Sequence, residues 1–240
     1  EVAEYMNSLA SCVEKSEDVS KTFIANVSHE LRTPITTVGG FVDGILDGTI
    51  PKSRQNEYLV LVSNEIHRLK ILISSMLNMS RFESGTLSPN FRETNLTDLV
   101  IQTVLMFEKK IEDKNLNVEG LGEGRVVAIA DADLMQQVFY NLIENAVKFI
   151  DDGGTLSIRV ERSGNKAVTT VGNTGPTIAP EELPLIFDRF HKTDKSRSTD
   201  RGVGLGLYIV KTIVLAHGED IYVTSRDGKT EFTFTLPLVL

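Results

Sequence analysis

The chain has 240 residues, of which 41% are hydrophobic, and a formal net charge of -8; this gives it enough apolar material for a sizeable core and length for two ordinary domains. Its acidic balance, with no dense Lys/Arg cluster to reverse it locally, excludes a nucleic-acid surface. The lone cysteine, Cys12, excludes an internal disulfide framework and suits a reducing compartment, and no run reaches the ~18 apolar residues of a membrane span.

Met6, Leu9, Val13, Ser20, Phe23 and Val27, followed by Ile35, Val38, Val42, Ile45 and Leu46, follow a spacing of threes and fours. That spacing predicts one long helix. Within it lies His29-Glu30-Leu31-Arg32-Thr33-Pro34. Residues four apart on a helix stack roughly 6 Å along the axis, so His29 and Thr33 share a face and Thr33 can address whatever sits on His29. A neutral imidazole is a competent nucleophile at about neutral pH. Adjacent helical residues point about 100° apart, so Glu30 flanks the ring, where it can orient it and take its other proton. Pro34 removes a backbone donor and is expected to kink the helix. Taken alone, a histidine on an amphipathic helix is more often idle than reactive, and the rest of the chain has to decide.

Asp47-Gly48-Thr49-Ile50-Pro51 holds the glycine and proline that end one helix and begin another. Leu59, Val62, Ile66, Leu69, Ile73, Met76, Leu77 and Phe82 predict a second helix, which Gly85 stops. Two long helices on a short loop make an antiparallel hairpin whose apolar stripes are too broad for one partner; a four-helix bundle formed by two chains would bury them. The alternative is that the stripe packs on the rest of the same chain.

After Pro89 the pattern becomes mixed. Asn95 to Lys114 reads as an amphipathic helix capped by Asn95, with Leu99, Val104, Leu105 and Ile111 inward. Val118 and Arg125 to Ile129 read as short strands, and Asp131 to Phe149 as a helix. Thr155 to Val160 alternates as a strand and pairs with Ala167 to Val171 across Gly164-Asn165. Gly206 to His217 is a final helix, followed by strands at Ile221 to Ser225 and Glu231 to Leu236 about Asp227-Gly228. Helices on one side of a mixed sheet give an α+β sandwich.

Asn141-Leu142-Ile143-Glu144-Asn145-Ala146-Val147-Lys148 puts two carboxamides and an ammonium on one helical face. A carboxamide oxygen is a hard neutral ligand acceptable to Mg²⁺, which takes its other oxygens from phosphates and water, and Lys148 would supply a point charge to the phosphate tail. Alone, the octapeptide reads equally well as an exposed polar face. In Val171-Gly172-Asn173-Thr174-Gly175-Pro176-Thr177-Ile178, after a strand, Asn173 can accept from an adenine amino group and Gly175 permits close backbone approach; a plain turn is the alternative. Gly202-Val203-Gly204-Leu205-Gly206-Leu207 precedes a helix whose first N–H groups favour phosphate. No Rossmann unit precedes it, which excludes a dinucleotide site. The polar stretch between Phe187 and Arg201 has the composition of a mobile lid.

Taken together these segments resemble the catalytic core of a sensor histidine kinase of a two-component system. FIANVSHELRTPI resembles the phosphoacceptor box, NLIENAVKF the asparagine box, VGNTGPTI the first glycine box, IFDRFHK the phenylalanine box and GVGLGL the second glycine box, in the family's order and spacing. The resemblance implies two domains. Residues 1–85 would be an all-α dimerisation and phosphotransfer hairpin, a four-helix bundle as the homodimer. Residues 89–240 would be an α+β ATP-binding sandwich of the GHKL type, shared with DNA gyrase B and MutL. By matching position it implies that His29 is phosphorylated from ATP, that Glu30 is its base, and that Thr33 serves dephosphorylation of the response regulator's phosphoaspartate. Asn145 would hold Mg²⁺ with help from Asn141, Lys148 and Lys192 would address phosphate, Asn173 and Gly175 adenine, and Gly202, Gly204 and Gly206 the phosphate tail.

The implied partner is a response-regulator receiver domain, with no nucleic acid and no membrane contact within this stretch. Glu1 in place of an initiating methionine leads us to expect a cytoplasmic fragment of a membrane-anchored sensor protein. Departures from the family pattern are Asn173 where aspartate is commoner, Thr177 where a second glycine is usual, Phe149 for a frequent tyrosine and Glu219 after Gly218. An amide at 173 still accepts from adenine but without the charge that strengthens the bond, and Thr177 narrows the backbone, so lid opening is expected to differ. A nucleotide-gated scaffold without catalysis is the reading from another class; intact Glu30, Asn145 and the second glycine box argue against it.

Overall fold

The computed structural model describes Ala25, Ser28 and residues 31–86, 88–121, 124–189, 191 and 204–239. These fall into two compact units, one up to Ile73 and one from Ser74 onward.

In the first unit, helix α1 (31–46) and the leading part of α2 (Gln55–Glu83) form the expected hairpin. The turn is short because Asp47 Oδ1 accepts from Thr49 N at 2.9 Å and Ile50 N donates to Gly44 O at 2.7 Å. A side chain on Gly44 would meet Ile50 Cδ1 at 3.1 Å, so glycine there lets Ile50 close the end of the hairpin, where it is buried. Phe41 and Tyr58 meet edge to face at 5.1 Å across the two helices. The helix runs through Pro34 from residue 31 onward. The expected first helix upstream of residue 31 lies largely outside the described residues.

The second unit contains the last turns of α2 and an α+β sandwich. Strands β2 (Asn117–Glu119), β4 (Thr155–Ser163), β5 (Lys166–Thr174), β6 (Ile221–Arg226) and β7 (Lys229–Pro237) form a five-stranded sheet in the order β2-β4-β5-β7-β6. β2 runs parallel to β4 and the other pairs are antiparallel, giving the mixed sheet expected. Strands β1 (Arg92–Asn95) and β3 (Val127–Ala130) form a separate antiparallel pair.

Helices α3 (Leu96–Leu105), α5 (Ala132–Phe149) and α6 (Gly206–Ala216) cover one face of the sheet. Period-two alternation supplies that face: Leu156 and Ile158, Ala167 and Val171, Phe232, Phe234 and Leu236, and Ile221 are buried. Phe139 of α5 packs on Phe234 at 6.0 Å. Here Asp131 caps α5, its Oδ1 accepting from Asp133 N and Leu134 N at 3.0 and 3.1 Å.

One expected element is different. The helix read as Asn95 to Lys114 is capped by Asn95, which accepts from Asp98 N, but it breaks at Met106 and Phe107 into α3 and α4 (Glu108–Asp113). Phe107 turns into the core beside Tyr140 at 5.1 Å. The buried residues of α3 are Leu96, Val100, Thr103 and Val104, while Leu105, read as inward, is 60% exposed. A buried aromatic at the break resets the helical phase, which a single 3.6-residue period cannot represent. β1 was not expected; Arg92-Glu93-Thr94-Asn95 has no apolar alternation to announce it.

Candidate functional site

The site residues of the second unit gather where α5, the start of α6 and the end of β5 meet. The apolar face of α5 is committed to the sheet, so Gln137, Asn141, Asn145 and Lys148 follow one another along its other side. Asn141 is buried, and its amide nitrogen has no hydrogen-bond partner among the described residues. Such a donor calls for an acceptor that the described residues do not supply.

α6 begins against it: a methyl on Gly206 would lie 3.7 Å from Asn141 Oδ1. Leu205, the residue preceding α6, makes no side-chain cap on the first N–H groups of the helix. Gly204 has φ 73, a left-handed conformation that glycine adopts without penalty. Carboxamides, an uncapped helix start and an ammonium on one face fit a polyphosphate with its metal: oxygens for Mg²⁺, N–H groups and Lys148 for phosphate.

Beside this, β5 carries Asn173 to the far end of the sheet; the strand runs to Thr174, beyond the Val171 expected. Asn173 is buried, and its Nδ2 donates to Thr174 O at 3.0 Å, which turns Oδ1 into the acceptor. At Gly175 (φ 147) a Cβ would meet Phe149 O at 2.6 Å. Strand end and helix end therefore touch backbone to backbone, which only glycine allows. Next to this contact opens a cleft of about 450 Å³ lined by Lys114, Lys148, Phe149, Ile150, Asp151, Asp152 and Pro176. Lys148 Nζ stands 4.9 Å from the Phe149 ring centroid.

Sequence reasoning missed the residues that hold this site in place. Lys114 Nζ donates to Val147 O at 3.0 Å and Ile150 O at 2.7 Å, tying the C-terminal carbonyls of α5 at the wall of the cleft. Thr230 stands opposite Asn173 in the sheet and Ser225 opposite Thr230, both buried, with hydroxyls 2.8 Å apart. Their signal is legible afterwards: they are the polar members of rows otherwise filled by Phe232, Phe234 and Ile221. His217 is buried too. Its Nδ1 donates to Ile213 O at 2.8 Å and its Nε2 accepts from Asp131 N at 3.1 Å. Burial pushes its pKa down, against the smaller upward pull of the Ile213 bond and of the Asp131 charge.

Phe187, of the phenylalanine box, is buried edge-on against Phe232 at 6.1 Å. Thr33 is exposed on α1 in the first unit. His29, Glu30, Lys192 and Gly202 lie outside the described residues. No group of three or more His, Cys, Asp or Glu that could hold a metal occurs among the described residues, and no helix among them is long and apolar enough to cross a membrane.

A family model described as Histidine kinase-, DNA gyrase B-, and HSP90-like ATPase matches residues 130–240, and one described as His Kinase A (phospho-acceptor) domain matches residues 20–85. Sensor protein SrrB of Staphylococcus aureus is 36% identical over 224 residues, 92% of this chain. The chain spans 38% of the length of that relative. The catalytic domain of histidine kinase ThkA is 32% identical with a TM-score of 0.55, over 62% of this chain and 96% of that one. The structure of ThkA in complex with response regulator protein TrrA is matched at 27% identity with a TM-score of 0.58, over 94% of this chain and 64% of that one.

Proposed function

Since the chain belongs to the sensor histidine kinases, we propose that residues 89–240 bind ATP and that His29, in the hairpin of residues 1–85, takes its γ-phosphoryl group. An imidazole nitrogen forms the new N–P bond as the bond to the bridging oxygen breaks and ADP leaves; the phosphoryl group then passes to an aspartate of a response-regulator receiver domain. The observation that carries the nucleotide site is the buried, unpartnered amide of Asn141 against the uncapped start of α6, with Lys148 on the same face of α5.

Each residue has a role in this reading. Asn173 Oδ1 accepts from the adenine amino group and Gly175 brings the strand end close to the base. Asn141 donates to a phosphate oxygen; Lys148 and Lys192 add charge there, and Gly202, Gly204 and Gly206 expose backbone N–H groups to the phosphates. Asn145 is the protein ligand that would hold Mg²⁺, with Asn141 beside it; the ion would neutralise charge on the phosphate oxygens. Catalysis is then positioning and charge stabilisation. Glu30 orients His29 and removes its second proton, and Thr33 serves the reverse process, dephosphorylation of the regulator. ThkA's complex with a response regulator supports a partner of that kind. The exposed apolar residues of the hairpin support a homodimer, and the unmatched length of Sensor protein SrrB supports a longer parent protein with a sensing part, for which we propose a membrane anchor.

Incubation with γ-labelled ATP and Mg²⁺, followed by mapping of the acid-labile, base-stable phosphate, tests this reading. Label on His29, absent from His29→Gln and from Asn145→Ala, is expected. Label retained by His29→Gln would overturn the acceptor, and ATP bound without any phosphohistidine would favour the non-catalytic scaffold.

A further inference from the structure

The first glycine box of this chain has a threonine, Thr177, where the family usually has its second glycine, and the structure shows what the hydroxyl touches. Thr177 Oγ1 accepts from Gly228 N at 3.0 Å, while Gly175 N donates to Gly228 O at 2.8 Å. One residue later, Ile178 N donates at 2.9 Å to Ser225 Oγ, which is 2.8 Å from Thr230 Oγ1. The loop after Asn173 is thus fastened to the tip of the β6–β7 hairpin, whose Asp227 and Gly228 both have positive φ, 50 and 74. Such a two-residue turn is rigid and matches the strand twist. Thr230 is also the cross-strand neighbour of Asn173, so the bonds return to the row that holds the base-reading amide.

We infer that Thr177 is a positioning residue for adenine: its hydroxyl pins the first glycine loop to the β6–β7 turn, so that Asn173 and Gly175 are ordered before nucleotide arrives. This rests on the nucleotide reading above. A glycine at 177 would leave the loop to be ordered on binding, and that ordering entropy subtracts from affinity. A threonine settles part of it in advance, and adenine nucleotides bind more tightly and leave more slowly. Because Thr177 stands beside the base and not the phosphates, its hydroxyl affects binding of the adenosine part and leaves the transfer step alone.

The test uses the whole chain with ATP and ADP as probes, calorimetry for affinity and autophosphorylation for the KM and kcat of ATP. Thr177→Val keeps the β-branched shape and loses the hydroxyl, Thr177→Ser keeps the hydroxyl, and Thr233→Val removes a threonine hydroxyl that pairs with Thr170 across the sheet. An exposed hydrogen bond of ordinary strength corresponds to a loss of about threefold to tenfold in affinity for both nucleotides in Thr177→Val, entering KM with kcat within about twofold. Thr177→Ser and Thr233→Val are expected to stay within about twofold of wild type by the same reasoning. Unaltered affinity in Thr177→Val, or Thr177→Ser as weak as Thr177→Val, overturns the inference while wild-type binding keeps the nucleotide reading intact. Wild type that binds neither nucleotide overturns both.

Discussion

Gly175 and Asn141 show how single residues define the nucleotide cleft in opposite ways. At Gly175 the backbone has φ 147 and a Cβ would lie 2.6 Å from Phe149 O, a main-chain atom that cannot swing aside. Gly175→Ala is therefore expected to cost about 1–3 kcal/mol of stability, read as a lower urea midpoint, and to weaken ATP binding because the strand end moves off the helix. At Asn141 the expected sign divides. Its buried amide nitrogen has no partner among the described residues, so Asn141→Leu removes an unsatisfied donor and should leave the thermal midpoint unchanged or raised. The same change should weaken ATP binding about tenfold or more, the scale of a hydrogen bond to a charged group. A fall in both midpoint and affinity would mean that the amide is structural. The asparagine pair was legible in the sequence because helical spacing alone places 141 and 145 on one side; the unpartnered state of the first was not, since it depends on where α6 begins.

At the scale of elements, α5 and α6 are coupled through His217. The ring donates from Nδ1 to Ile213 and accepts at Nε2 from the N–H of Asp131, the residue that caps α5. Asp131 also accepts from Asn90 N through Oδ2 at 2.8 Å, and Phe91 stands edge-on to His217 at 5.3 Å, so the segment entering the second unit rests on the same pair. Protonating Nε2 would turn an acceptor into a donor facing a donor. Because burial lowers the folded-state pKa, the unfolded chain takes a proton that the folded chain refuses. Stability from this group is complete above the unfolded value of about 6.5 and is lost as pH falls below it toward the depressed folded value, by at most about 1.4 kcal/mol per pH unit. Urea midpoints of wild type at pH 8 and pH 5.5, compared with His217→Gln, check this: the substitution should flatten that part of the profile. Glu219 has the same sign at lower pH, since a carboxylate held below its ordinary range also loses its contribution on acidification. Burial pushes its carboxyl up, but the Lys166 ammonium at 2.7 Å and the Thr235 hydroxyl together hold it below the usual carboxylate range.

At the scale of the molecule, the hairpin leaves Ile35, Leu46, Leu59, Val60, Ile66 and Ile73 between 45% and 80% exposed. Apolar residues at helical spacing along two packed helices are what a second copy would cover in a four-helix bundle. Leu59→Glu with Ile66→Glu is expected to convert a dimer to a monomer in sedimentation while the second unit keeps its ATP affinity. A dimer that survives the pair of changes would place its interface elsewhere. Within the second unit the last turns of α2 contribute too: Asn78 Nδ2 donates at 2.9 Å to Gln137 Oε1, one helical turn before Asn141. α2 is therefore a single helix of 29 residues whose two ends serve different units.

The sequence by itself determined the elements whose signal is local. α2, α5, α6 and the β4–β5 and β6–β7 hairpins follow from apolar periodicity and from Gly164-Asn165 and Asp227-Gly228, and the five motifs follow from residue type at fixed spacing. Period and turn chemistry act over a few neighbouring residues, so one chain is enough to read them. What only the tertiary structure decided depends on residues far apart in sequence. Phe107 breaks a helix because Tyr140 receives it, and β1 forms because β3 pairs with it. Lys114 holds α5 because the carbonyls of Val147 and Ile150 lie within reach. Thr177, on sequence a lost glycine, gains its partner from Gly228, 51 residues on; a hydrogen bond needs two atoms within about 3 Å, and only the folded chain brings them there.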